Sequence, residues 1–113
     1  MPIFPKQSTT VNVSTTKADT DTPFDVTLAV AATAEDLVSV PALKKGRILS
    51  LINEGPGDVA IKFDATATAT DTLIKEGEAY SEAGLEVSTK VSFINVTPAA
   101  LPRVRGQLLS GPV

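Results

Sequence analysis

Apolar and polar residues alternate along most of this chain. Residues 24–30 place Phe, Val, Leu and Val at every second position, with Asp, Thr and Ala between them. A two-residue period is typical of a β-strand with one buried face. Further short apolar runs, separated by glycine, proline and charged turns, occupy residues 37–40, 47–53, 58–64, 73–74, 79–81, 85–96 and 103–109. The pattern predicts an all-β domain, a β-sandwich or small barrel of about seven to eight antiparallel strands.

The clearest local prediction is a β-hairpin over Arg47–Asp64. Its two apolar runs are separated by Glu54-Gly55-Pro56-Gly57, and the glycines allow the positive φ that a tight turn requires. Alternation places Ile61 and Phe63 on the buried face of the second strand.

Three other segments have simple local interpretations. Lys44-Lys45-Gly46 is interpreted as a turn, and residues 65–72, a repeat of Thr and Ala, as a loop. The alanine-rich residues 31–36 could form a turn of helix before strand chemistry returns at Leu37.

The first 22 residues differ in composition from the rest, so we divide the chain into an extended N-terminal arm, 1–22, and a β-sandwich domain, 23–113. Residues 10–14 of the arm could form one short strand. Ordering the arm costs about 1–2 kcal/mol per residue, and four buried apolar side chains return only about 1.5–3 kcal/mol each. We therefore expect the arm to pack on another subunit, adding a strand to its sheet. The anchors would be Ile3, Phe4, Val11 and Val13.

Composition excludes several kinds of chemistry. The chain has no Cys and no His, so it has no disulfide, no thiolate metal site and no histidine base. A net charge of −3 gives no electrostatic basis for binding nucleic acid. No apolar stretch approaches the about 20 residues of a membrane helix, and the N-terminal residues do not follow the signal-peptide pattern. We expect a protein that is not an enzyme, needs no cofactor and binds neither nucleic acid nor membrane.

Acidic residues form two groups with the right chemistry for a site. Asp19, Asp21 and Asp25 could begin a calcium loop, but the position that needs glycine is Phe24 and the twelfth position is Val30, so solvated carboxylates are the simpler interpretation. A second group could supply a glycosidase-type pair, although the chain lacks the aromatic residues that stack on sugars. An exposed turn that discourages edge pairing is the preferred interpretation for Glu76, Glu78, Glu82 and Glu86.

Basic residues also form two clusters. Alternation places Arg103 and Arg105 on the strand face opposite Val104. Ordinary exposed charge is one interpretation; docking to an acidic protein surface, where arginine forms bidentate pairs, is the other. The candidate partner-binding residues of these clusters are Lys44, Lys45, Arg47, Arg103 and Arg105.

The order of features from Ile48 to Gly111 resembles that of small virion proteins of tailed bacteriophages. A strand ends in Asn-x-Gly at Asn53, and Val-x-Ile-Lys-Phe follows from Val59. The Thr/Ala loop, the Gly77-Glu78 turn and two final strands, 87–96 and 103–109, come next. Head decoration (cement) proteins are among the proteins that look like this. The resemblance implies a β-sandwich that docks on a repeating lattice, often as an oligomer with an N-terminal arm, and it assigns no role to a single residue.

The expected function is that of a capsid decoration protein, which stabilises the head by bridging capsid subunits. The partner would be the major capsid protein or another virion protein, the chain would be a homo-oligomer, and its location the virion, assembled in the host cytoplasm. A tail, baseplate or connector component is an alternative of the same class. A ligand- or carbohydrate-binding β-sandwich is an alternative of another class, against which the absence of Trp counts.

Overall fold

The computed structural model describes residues 18–97 and 99–113, which form eight strands and no helix. The predicted all-β fold class is therefore confirmed. Within the described residues there is no helix of the length and apolar character needed to cross a membrane. The strands are β1 (Thr20–Thr27), β2 (Ala34–Ser39), β3 (Lys44–Gly55), β4 (Val59–Phe63), β5 (Thr72–Ile74), β6 (Ala79–Glu82), β7 (Lys90–Asn95) and β8 (Arg103–Pro112).

The strands form two four-stranded antiparallel sheets. Sheet A has the order β1-β8-β3-β6, and sheet B has the order β2-β7-β4-β5. Six of the seven connections between the described strands pass from one sheet to the other, and only β4 to β5 stays within a sheet. The connections 28–33, 56–58, 75–78 and 96–102 lie at one end, the loop end. The connections 40–43, 64–71 and 83–89 lie at the other, the terminus end, together with Asp19 and Val113.

The predicted hairpin over Arg47–Asp64 is wrong. β3 pairs with β6 and β8, whereas β4 pairs with β5 and β7 in the opposite sheet. Gly55 and Gly57 do have positive φ, but the segment uses that freedom to change sheets. The predicted face is right, because Ile61 is 2% exposed and Phe63 packs against the core.

Two other local interpretations also fail. Residues 44–46 are the first residues of β3 and pair with residues 110–112, so they are not a turn. The turn precedes them at Ala42-Leu43, where Leu43 adopts a φ of 64° without being glycine. Residues 31–36 contain a turn at Ala31-Ala32 and then enter β2, with no turn of helix. Residues 87–96 and 103–109 contribute to β7 and β8, which lie in different sheets.

The core lies between the two sheets and is mainly aliphatic. Leu49 and Leu108 of sheet A and Val59 and Val91 of sheet B are all fully buried. Phe93 is the largest fully buried side chain, and its ring centroid lies 6.1 Å from that of Phe24 on β1. The inward residues of both sheets thus form one hydrophobic layer, as the alternating pattern requires.

The start of the domain lies slightly before residue 23. β1 begins at Thr20, and residues 20–22, which the sequence pattern assigns to the arm, pair with residues 108–110 of β8. The predicted strand over residues 10–14 lies outside the described residues, and so do the anchors Ile3, Phe4, Val11 and Val13.

The edge strands of the described sheets are poorly suited to strand addition. Leu28 N donates to Pro102 O at 2.9 Å. Backbone nitrogens of an antiparallel strand point alternately towards and away from the neighbouring strand. The nitrogen of Pro23, five residues before Leu28, therefore points away from β8. Proline has no N–H to donate, and Asp21 and Asp25 flank it on the same face. β2 is interrupted by a bulge between Asp36 and Val38, and β5 and β6 have only three and four residues. A partner is more readily accepted by the faces or ends of this sandwich.

Asp64 joins two connections at the terminus end. Part of the free energy of unfolding therefore depends on the pH. Its carboxylate accepts hydrogen bonds from the amides of Ser88 (2.7 Å) and Thr89 (2.6 Å) and from the Thr89 hydroxyl (2.9 Å). Partial desolvation raises the pKa of Asp64, but these bonds and a weaker one from Lys90 together lower it below 3.8.

Because the folded pKa lies below the unfolded one, the stabilisation is complete above the unfolded value of 3.8 and is lost as the pH falls through the folded value. We expect wild type to exceed Asp64→Asn in stability by about 1 kcal/mol at pH 6, a value kept small because the site is solvent-exposed. Asparagine tolerates the φ of 59° at this position, so the backbone is preserved. Urea unfolding of both proteins between pH 6 and pH 2.5 should show the two curves converging. A difference that does not change with pH would contradict this assignment.

Candidate interaction surfaces

Arg103 and Arg105 do share the outer face of sheet A, as alternation predicts, but both are paired within the chain. Arg103 donates to both carboxylate oxygens of Asp25 on β1, at 2.8 and 2.6 Å. Arg105 donates from Nε to Glu54 on β3 at 2.6 Å, and Arg103 lies 3.8 Å from the same carboxylate. The four side chains form a charge-balanced row across β1, β8 and β3.

This pairing changes the ionisation of its members and their availability. The hydrogen bond from Arg103 lowers the pKa of Asp25, and the same bond raises the pKa of Arg103. All four side chains are partly exposed, so each pair adds little stability. A partner that uses these arginines has to compete with Asp25 and Glu54. Docking through Arg103 and Arg105 therefore stays a prediction. The ion pairs that both arginines form within the chain make such docking less favourable than the sequence alone indicates.

The second basic cluster lies at the far end of the β3–β8 ladder. The Lys44 ammonium lies 2.9 Å from Asp19, whose pKa is lowered first by that bond and then by one from Thr20. Arg47 donates to the carbonyl of Pro112 at 2.6 Å. Lys45 forms no salt bridge with a described residue. Lys44 is opposite Pro112 in the ladder and Arg103 is opposite Gly55, so the two basic clusters do not form one surface.

The acidic candidates are dispersed into separate local roles. Glu76 accepts the Gly57 amide at 2.9 Å, and Glu78 accepts the Lys75 amide at 2.8 Å. Tyr80 donates its hydroxyl to Glu82, and partial burial followed by this bond raises the pKa of Tyr80 to about 12. Asp19 and Asp25 are occupied by the basic residues already described. Among the described residues, no three potential ligands approach closely enough to hold a metal ion.

The outer face of sheet A contains a broad, open depression of about 610 Å³. Its lining includes the backbone of Gly106 and the apolar side chains of Ile52 and Ala79. Ser50 and Gln107 add neutral polar groups. A shallow depression of this kind could bind one side of a small ligand, but it does not enclose the ligand as a catalytic pocket would.

The sequence analysis missed a pair of buried asparagines that organise the loop end. Asn53, fully buried at the end of β3, accepts the Gly55 amide at 2.8 Å and donates to Gly57 O and Ile74 O at 3.0 Å each. Asn95, at the end of β7, accepts the Thr97 amide at 2.8 Å and donates to Ala100 O.

A repeat in the sequence could have revealed this pair. Ser50-Leu51-Ile52-Asn53 corresponds to Ser92-Phe93-Ile94-Asn95, and a proline follows three residues after each asparagine. β3 and β7 are both central strands, one in each sheet. The same local solution, an asparagine that closes the turn after a central strand, is therefore used once in each sheet.

Two of the four connections at the loop end contain no charged residue. They are residues 28–33 and 96–102, which we call the neutral loops, whereas 56–58 contains Asp58 and 75–78 contains three charged residues. Within the described part of the neutral loops, Val30 is 51% exposed and Leu101 is 45% exposed. The neutral loops are therefore one candidate docking surface, while Leu43 (85% exposed) and Val113 (75% exposed) present apolar side chains at the terminus end.

Comparisons of the chain with protein-family models, curated proteins and solved structures find no match. Its function therefore has to be inferred from its own residues.

Proposed function

We propose that this chain is a structural protein of a bacteriophage particle, most simply a head decoration (cement) protein that bridges capsid subunits. The observation that carries the proposal is the pair of neutral loops, which expose Val30 and Leu101 at one end of a sandwich whose outer arginines are internally paired. A surface of this kind suits docking by shape and apolar contact.

The sequence supports the same interpretation. The order of strands and turns resembles small virion proteins, and the N-terminal arm supplies a second potential contact with a neighbour. The chain also lacks the cysteine and histidine side chains that most often perform chemistry at neutral pH. A tail, baseplate or connector protein would use the same surfaces, and only the location in the particle distinguishes it from a head protein.

A ligand-binding module is the second candidate, because of the depression around Gly106. Ser50, Gln107 and the rim residue Arg105 could hydrogen-bond a hydroxyl-rich ligand. The lining contains one aromatic residue, Phe24, which packs on the core and offers little platform for a sugar ring. This candidate predicts saturable binding of a small glycan by the isolated chain, which a decoration protein does not require.

The test uses particles from cells that carry the gene. Particles purified by density gradient should contain this chain in a fixed, multi-copy ratio to the other virion proteins, as measured by quantitative mass spectrometry. Particles from a strain with the gene deleted should lose resistance to heat or osmotic shock and regain it when purified protein is added. Antibody labelling would then separate the head from the tail. Absence of the chain from purified particles would disprove the proposal.

A further inference from the structure

The turn between β2 and β3 holds a leucine in a conformation that leucine rarely adopts. Lys44 N donates to Pro41 O at 3.2 Å and closes a four-residue turn, in which Leu43 takes the third position with a φ of 64°. A positive φ at that position normally calls for glycine or asparagine. The other described non-glycine residues with positive φ have short side chains; they are Ala32, Asp64 and Ala99. Leu43 is therefore the one bulky residue among them.

The side chain of Leu43 gains little within its own chain. It is 85% exposed, the largest exposed fraction among the large apolar side chains of the described residues. Glycine at this position would relieve the backbone and would take apolar surface out of water, so the fold itself does not favour leucine. A bulky residue that is both strained and exposed indicates a contact outside the chain.

The neighbours of Leu43 define the chemistry of that contact. Residues 40–43 read Val-Pro-Ala-Leu, and two lysines follow them. The Lys44 ammonium is held by Asp19 at 2.9 Å, whereas Lys45 forms no salt bridge with a described residue. The terminus end thus offers an apolar side chain with a positive charge close behind it.

The depression on the outer face of sheet A has the matching chemistry. Its apolar lining includes Ile52 and Ala79, and its volume of about 610 Å³ is ample for a leucine side chain. The two charged residues of the lining are already paired within the chain; the pairs are Asp25–Arg103 and Arg105–Glu54. Asp21, on the same face of β1 as Asp25, is exposed and forms no salt bridge with a described residue.

One copy of the chain cannot supply both sides of this contact. Leu43 immediately precedes β3, whereas Ser50 and Ile52, which line the depression, lie in the second half of that strand. At about 3.4 Å per residue they are roughly 24–30 Å from Leu43. The leucine of one copy can therefore enter only the depression of another copy.

We infer that Leu43 of one copy inserts into the sheet A depression of a second copy, with Lys45 of the first beside Asp21 of the second. The apolar side chain meets a lining whose charges are internally paired, and the two remaining charges have opposite signs. Because two different surfaces of the chain meet, the contact is heterologous and can build a ring or a row. The inference concerns self-association and stands apart from the proposed function.

The first experiment measures self-association of the full chain by sedimentation velocity over a range of concentrations. Leu43→Gly should weaken association by about tenfold or more, because it removes the inserted side chain. Its melting temperature should equal or exceed that of the wild type, because glycine readily accepts the φ of 64°. A leucine with a purely structural role would give a lower melting temperature and unchanged association.

Ala79→Glu tests the receiving side, because it places a charge in the lining of the depression. This variant should also weaken association by about tenfold or more. Leu73→Glu is the matched control, which should associate as the wild type does. Both residues are exposed and lie on short edge strands, but Leu73 belongs to β5 of sheet B.

A mixture of the two deficient variants tests whether these surfaces bind each other. Leu43→Gly keeps an intact depression and Ala79→Glu keeps an intact turn, so one productive contact remains possible between them. The mixture should form a one-to-one dimer that neither variant forms alone. Circular dichroism of each variant should match that of the wild type.

An exchange of charges tests the orientation of the contact. Lys45→Glu should weaken association several-fold, because it places two acidic residues side by side. The double variant Lys45→Glu/Asp21→Lys should restore association, because every contact then pairs opposite charges again.

Four outcomes would overturn the inference. A wild type that stays monomeric at high concentration excludes the contact between copies. Loss of association in Leu43→Gly but not in Ala79→Glu would show that the leucine binds a different surface. Failure of the mixture, or of the exchanged charges, to restore association would show that the two surfaces do not meet. If Leu43→Gly associated normally but no longer joined purified particles, the leucine would dock on another virion protein, and the proposed function would survive without this contact.

Discussion

Replacement of Gly106 by alanine should remove about 3 kcal/mol or more of the free energy of unfolding. β8 lies between β1 and β3, and at Gly106 the backbones approach so closely that an added Cβ would lie 2.1 Å from Ser50 O and 2.7 Å from Leu51 Cα. These are backbone atoms, which can move only if β3 and β8 separate in the middle of sheet A. Urea unfolding followed by circular dichroism measures the loss, which is a large part of the stability of a domain of this size.

Gly77→Ala is the control for this substitution. A Cβ at Gly77 would have no neighbour within 4 Å, although its φ of 81° is unfavourable for alanine. The control should therefore cost only the about 1–2 kcal/mol of a left-handed conformation. If Gly106→Ala were no more destabilising than Gly77→Ala, the close approach of β3 and β8 would be incorrect.

Asn53→Asp should destabilise the protein by about 3–5 kcal/mol at neutral pH, although the two side chains have nearly the same shape. The amide nitrogen donates to Gly57 O and Ile74 O, and a carboxylate in its place would direct negative charge at two carbonyl oxygens. The site is fully buried, so water cannot compensate. Burial should raise the pKa of the introduced carboxyl, and part of the lost stability should return as the pH falls towards about 4.

Glu54→Gln supplies the matched control, one residue further along β3. It replaces a carboxylate by an amide, the reverse of Asn53→Asp, on a side chain that is partly exposed. Loss of its exposed pairs with Arg103 and Arg105 should cost less than about 1 kcal/mol. Equal effects of the two substitutions in a thermal unfolding experiment would contradict the structural role given to Asn53.

The positions of most strands could be predicted from the sequence because alternation is a local property. Residues 24–30, 47–53 and 58–64 overlap β1, β3 and β4, and their inward residues are among those that alternation selects. Val30 is the exception, because it lies beyond the end of β1 and is 51% exposed. The partners of those strands could not be predicted in the same way. A Gly-Pro-Gly segment is compatible both with a hairpin and with a passage between two sheets, and the choice depends on distant strands that fill the remaining positions.

For the candidate site residues, too, the exposed face could be predicted from the sequence and the partners could not. Alternation places Arg103 and Arg105 on one exposed face, but their pairing with Asp25 and Glu54 depends on β1 and β3 flanking β8. That arrangement brings together residues 78 and 51 positions apart in the chain. The buried asparagines are an intermediate case, because the repeated Ser-x-Ile-Asn pattern is visible in the sequence while its meaning depends on burial.

The position of β8 determines when the fold can be completed during synthesis. Among the described strands, β8 comes last in the chain, yet it is the only one with which β1 pairs, and it also pairs with β3 along most of its length. Until residues 103–112 leave the ribosome, β1 has no neighbour among these strands and β3 has only β6. Sheet A therefore cannot form progressively from the N terminus, and contacts of such large sequence separation are slow to form. A nascent chain exposes the inward faces of β1 and β3 until β8 has left the ribosome, and a chain terminated after β7 would keep them exposed permanently.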